Sequence, residues 1–89
     1  MGRTRESVLS PVRRERLAAA FELSEAEVLA DAEIILSWSG GWSELEALIR
    51  VRHAWGTDEA FYFVRWVRLE AWCTQNRVPE QRSSPLTER

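Results

Sequence analysis

Residues 60–73 read AFYFVRWVRLEAWC, and the fold turns on how this stretch is read. It holds Phe61, Tyr62 and Phe63 in a row, Trp66 and Trp72 of the chain's five tryptophans, and the only cysteine, Cys73. Turned through about 100° per residue, its apolar side chains form two bands. Ala60, Phe63, Val64, Val67 and Ala71 make one, and Tyr62, Trp66, Leu69 and Cys73 make the other. Phe61 and Trp72 occupy a third sector, beside Arg65 and Arg68. A surface helix carries one apolar stripe, so a helix apolar on several sides must be covered on several sides, by its own domain or by a partner.

Local signals bound this helix and place three others ahead of it. Gly56 suits a helix end and Thr57 a helix cap, with Asp58 and Glu59 at the positive end of the next dipole. The long helix therefore runs from Asp58 to about Asn76, and Pro79 forbids its continuation. Upstream, Ser43 and Glu46 fit a capping box opening a helix from Glu44 to Trp55. Leu45, Leu48, Ile49, Val51 and Trp55 would face inward, with Glu46 and Arg50 paired outside. Ser39-Gly40-Gly41 offers positive-φ freedom to end a helix from Glu25 to Ser37, itself opened by a Ser24–Glu27 capping box. Val28, Leu29, Ala32, Ile35 and Leu36 form its main face, leaving Ile34 and Trp38 to find other cover. Ser10 as cap and Pro11 at the first helical position open a helix to about Glu22, with Leu17, Ala20 and Phe21 as its stripe. No strand alternation, hairpin dipeptide or repeat competes. The expectation is an all-α domain over residues 10–77, a small four-helix bundle of three shorter helices around a long, apolar C-terminal helix. Residues 1–9 read as a flexible arm and 78–89 as a disordered tail.

With 89 residues the chain makes one small domain with a slim margin of stability. One cysteine excludes an internal disulfide and fits a reducing cytoplasm. Neither a signal-peptide pattern nor a membrane-length apolar run is present, so a soluble cytoplasmic protein is expected. The 12 basic residues are all arginine, which codon bias in a high-GC genome explains most simply. The net charge of −2 conceals a segregation: residues 21–49 carry seven acids and no Lys or Arg, between two basic flanks.

Catalysis needs a nucleophile or base, a group to orient it and a pocket. His53, the only histidine, reads as a solvated residue near Glu46 and Arg50, and Cys73 as an inert thiol deep in a helix. The pair cannot fill a structural zinc site, and no HExxH, CxxC, GxGxxG or P-loop spacing occurs. No enzyme, cofactor, metal or small-molecule substrate is expected. A helix-turn-helix could be drawn from the second and third helices, but its leading turn offers Ser43, Glu44 and Glu46 beside an acidic neighbour, which phosphate repels. A DNA-binding regulator would instead use Arg3, Arg5, Arg13, Arg14 and Arg16, and stands as the alternative.

The favoured expectation is a non-enzymatic protein–protein interaction module. Five tryptophans exceed what so small a core readily buries, and Trp and Arg are enriched at interface hot spots. Trp38, Trp42, Phe61, Arg65, Arg68 and Trp72 are the candidate contact residues. Two forms are open: a homo-oligomer through the long helix, or a small adaptor or inhibitor of a larger protein, of the kind mobile elements and phages encode. Glu70 falls between the two apolar bands and calls for an arginine partner, Arg50 or Arg52 being the nearest.

Overall fold

The computed structural model describes residues 8–79 and builds them as four helices, α1 (Pro11–Phe21), α2 (Glu25–Ser37), α3 (Trp42–His53) and α4 (Thr57–Gln75), with no strand among them. The all-α reading holds. Helix α4 packs on each of the other three, most extensively on α3, and α1 also packs on α2. No helix among the described residues is long and apolar enough to cross a membrane.

Capping explains where α1 and α2 begin. The Arg13 N–H donates to the Ser10 hydroxyl with Pro11 in the first turn. Ser24 and Glu27 bond reciprocally, Ser24 N–H to the carboxylate at 2.9 Å and Glu27 N–H to the hydroxyl at 3.0 Å. The later boundaries differ from expectation. Helix α3 starts at Trp42 with Gly41 as its cap residue, so the Ser43–Glu46 capping box does not form. The Trp38 indole N–H donates to the Gly41 carbonyl at 3.0 Å and holds the turn from which α3 departs. A Cβ on Gly40 would stand 3.0 Å from that indole nitrogen, so glycine serves close approach here and not positive φ. The left-handed residue that ends α3 is Ala54, at φ 57°, and not Gly56. Gly56 instead precedes α4, where Thr57 is already helical, and its N–H donates to the Glu59 carboxylate at 2.7 Å.

The core is built from Leu9, Leu17, Val28, Ala32, Ile35, Leu45 and Ile49 closing on one band of α4, namely Ala60, Phe63, Val64, Val67 and Ala71. That band is buried as the spacing predicts. Burying Phe63 alone contributes about 1.5–3 kcal/mol. An aromatic cluster extends the core: Phe21 lies edge-on to Phe63 at 4.9 Å and to Trp66 at 5.5 Å, and Trp55 packs on Phe63 at 5.1 Å. Ile34 and Trp38 find cover against the core, whereas Ala20, Leu36 and Val51 are exposed. Val51 points out because the line from Leu45 through Ile49 continues to Arg52 and His53, three and four residues on. Leu9 belongs to the core and the Val78 carbonyl accepts from Arg13, so the packed unit takes in both residues. Residues 1–7 and 80–89, the rest of the expected arm and tail, lie outside the described residues.

Candidate protein-interaction face

The outward side of α4 is where the chain departs from an ordinary surface helix. Tyr62, Leu69 and Trp72 are 60%, 58% and 57% exposed, and Phe61 joins them at the N-terminal end. The band of Tyr62, Trp66, Leu69 and Cys73 is therefore only half covered. Trp66 leans into the Phe21 cluster and Cys73 is partly buried, while Tyr62 and Leu69 stand in solvent. Between α1 and α4 these side chains line an open hollow of about 620 Å³, walled by Phe21, Tyr62, Arg65, Trp66 and Leu69 with Asp58 and Glu59 at its edge.

Arginines and rings interleave on the neighbouring side. The Arg65 guanidinium lies 3.8 Å from the centre of the Phe61 ring and 5.3 Å from Trp42. Arg68 lies 4.8 Å from Trp42, not stacked on Trp72. Arg65 also bonds Glu46 of α3 at 3.0 Å, the place the sequence assigns to Arg50. Trp42 reaches these arginines because it is the first residue of α3, set there by the Trp38–Gly41 bond. Of the six candidate contact residues, Trp42, Phe61, Arg65 and Arg68 thus form one connected group. Trp38 joins through a small hollow it shares with Trp42 and Arg68, and Trp72 through a wider cleft shared with Arg68 and Leu36. Sequence reading leaves out Tyr62 and Leu69. The signal for them is spacing: positions 58, 62, 65, 69, 72 and 76 alternate steps of four and three, the spacing of a seam along one side of the helix, with Tyr62, Leu69 and Trp72 on it and polar Asp58, Arg65 and Asn76 between and beyond them.

The alternative cationic set fares differently. Arg13 is buried, and its guanidinium meets Glu70 at 2.6 Å and the Val78 carbonyl at 2.8 Å. Arg14 pairs with Glu25 at 3.0 Å, and Arg16 is half-buried. Arg3 and Arg5 lie outside the described residues. Glu70 does have an arginine partner, but it is Arg13 and neither Arg50 nor Arg52. Its second oxygen accepts the Trp66 indole N–H at 2.8 Å. Arg13 sits four residues before Leu17 and eight before Phe21, on the inward line of α1, which is how it reaches α4.

A second buried carboxylate, Asp31, has no counterpart in the sequence reading. It follows Val28 by three residues on the inward stripe of α2 and is fully buried. Arg52 meets one of its oxygens at 2.6 Å and the His53 ring meets the other at 2.6 Å. His53 is accordingly no solvated residue: its side chain is buried and stacks on Trp55 with ring centres 4.4 Å apart. Glu27 on the rim has its carboxyl held below the usual carboxylate range, first by the Ser24 N–H and also by the charges of His53 and Arg52. Asp31, Arg52 and His53 are mutually satisfied and join α2 to α3, which makes them a structural clasp. Among the described residues no cluster of three or more His, Cys, Asp or Glu side chains could hold a metal.

Compared with known proteins, the chain matches no family model, no curated protein and no solved structure.

Proposed function

We propose that the chain is a cytoplasmic, non-enzymatic protein–protein interaction module that works through the outward face of α4, with a second copy of itself as partner. The observation that carries this reading is the exposure of Tyr62, Leu69 and Trp72 along a helix-pairing seam, beside Arg65 and Arg68 laid over Phe61 and Trp42. Large exposed apolar patches mark interaction sites, and aromatic and arginine side chains dominate binding energy where they occur together. Two features favour a copy of the chain over a larger protein. An 89-residue domain has little core of its own, which association would supplement. The two ends of α4 are also complementary in charge, acidic at Asp58 and Glu59 and basic at Arg77 just past the helix. The DNA-binding alternative is weakened because Arg13 and Arg14 are engaged with Glu70 and Glu25.

Light scattering on the full chain over a range of concentrations tests the proposal. A dimer that dissociates on dilution is expected, and Leu69→Glu should yield a monomer of unchanged helix content. A clean monomer at high concentration overturns self-association and leaves the adaptor form, for which a stoichiometric host protein must then be captured. Duplex binding that weakens steeply with salt would restore the nucleic-acid alternative.

A further inference from the structure

We infer that two copies pair through α4 in antiparallel orientation, each placing its Trp72 in the hollow that Phe21, Tyr62, Trp66 and Leu69 form on the other. The inference rests on the reading of α4 as a self-contact and specifies its geometry. The seam of Asp58, Tyr62, Arg65, Leu69, Trp72 and Asn76 can meet itself in parallel or antiparallel register.

Two observations select the antiparallel one. The hollow is lined by α4 residues from Asp58 to Leu69, and the side chain that would fill it lies beyond them toward the C-terminus: Tyr62 on its wall and the projecting Trp72 are ten residues apart, about 15 Å along the helix. Parallel pairing sets Trp72 against Trp72 and leaves both hollows open. A two-fold axis between the levels of Arg65 and Leu69 brings Tyr62 opposite the partner's Trp72 and fills both hollows in one operation, an isologous contact. Charge is the second observation. The helix opens with Asp58 and Glu59 and is followed by Arg77, so antiparallel packing sets acids beside arginine where parallel packing opposes like charges. Opposed helix dipoles act in the same direction. The arginines in the middle of α4 are compatible with this register. Arg65 and Arg68 are drawn sideways toward α3, over Phe61 and Trp42, and Glu46 neutralises Arg65 at 3.0 Å. Arg68 therefore flanks the contact, while Arg65 lies at its centre with Leu69 and lines the hollow.

The native Cys73 provides the test. In the antiparallel pair the two Cys73 residues are separated by about 12 residue levels, about 18 Å, too far for a disulfide, whose Cα atoms lie within about 7 Å. Glu59 of one copy instead lies beside Cys73 of the other. Under mild oxidation of a sample shown by light scattering to be dimeric, the wild-type chain should stay uncrosslinked and Glu59→Cys should run as a covalent dimer. Ready crosslinking of the wild type, or none in Glu59→Cys, overturns the antiparallel geometry while leaving the self-association reading intact. A monomeric wild type overturns both. Because Glu59 also bonds the Gly56 N–H, a second measurement avoids substitution altogether: a spin label on Cys73 should report an intermolecular separation of about 18 Å or more. Labels in near contact would mean parallel helices and sink the proposal.

Discussion

Glu70 and Asp31 are both carboxylates lodged on core-facing positions, and they are held in opposite ways. Glu70 joins α4 to α1 through Arg13, whose side chain is itself only 6% exposed, and gives its other oxygen to Trp66. Asp31 joins α2 to α3 through Arg52, 34% exposed, and through the ring of His53. One pair is sealed at both ends and the other is open at its cationic end. The cost of deleting a buried acid is therefore set by where its partner can go afterwards. Arg13 has no route to water without repacking, whereas Arg52 is already 34% exposed and can turn outward.

The largest effect should therefore follow Glu70→Ala, which strands a buried guanidinium. Loss of about 3–5 kcal/mol is expected by urea denaturation, a large part of the stability of so small a domain. Replacing both partners, Arg13→Met with Glu70→Leu, should be close to neutral by the same measurement, because it removes the desolvation cost along with the attraction. A double variant as unstable as Glu70→Ala would mean that the Val78 and Trp66 hydrogen bonds, and not the ion pair, hold α1 to α4.

Asp31→Ala should cost less, about 2–3 kcal/mol, since it breaks two charge-assisted contacts but leaves an arginine able to hydrate. A cost equal to that of Glu70→Ala would remove the contrast between the two clasps. Smaller again is the effect of Trp72→Ala on folding, below about 1 kcal/mol for an exposed position, with dimer dissociation as its main consequence. Should Trp72→Ala unfold the monomer instead, Trp72 belongs to the core and the outward face of α4 is not a contact surface.

These clasps also mark what could be read from the chain without coordinates. The helices were legible because their signals are local: Ser10-Pro11 and the Ser24–Glu27 box act within four residues of themselves, and the band from Ala60 to Ala71 needs only the helical repeat. The boundary errors arose where a tertiary bond outweighed a local preference. Trp38 pins Gly41, so α3 starts two residues earlier than a Ser43 cap would set it, and Ala54 takes the left-handed conformation that glycine takes with less strain. The candidate face was half legible, since Phe61, Arg65, Arg68 and Trp72 share a sector. Tyr62 and Leu69 are missing from it because periodicity shows which side chains share a side of a helix and not whether another element lies over it. The clasps were the least legible. Asp31, Arg13 and Arg52 each fall on an inward stripe by spacing, but a search for apolar residues passes over them. Val51 reads inward on its chemistry, whereas Arg52 and His53, the next two residues, are the ones that reach buried Asp31.

Glu27 supplies the smallest and sharpest variant of the comparison, because it is a fully exposed carboxylate at the edge of the Asp31 clasp. Its carboxyl is held below the ordinary value of 4.5, chiefly by the Ser24 N–H and further by His53 and Arg52. A folded-state value below the unfolded one means that the ionised form is favoured by folding. The stabilisation is thus fully present above pH 4.5 and is lost as pH falls through the lowered folded-state value. Glutamine keeps an acceptor for the Ser24 N–H but has no proton to gain. Glu27→Gln should accordingly be slightly less stable than wild type at neutral pH, and the difference should shrink steadily as unfolding is followed into the acid range. A difference that stays constant with pH would show that the capping bond acts by geometry alone, and that the positive charge of the buried clasp does not reach its exposed rim.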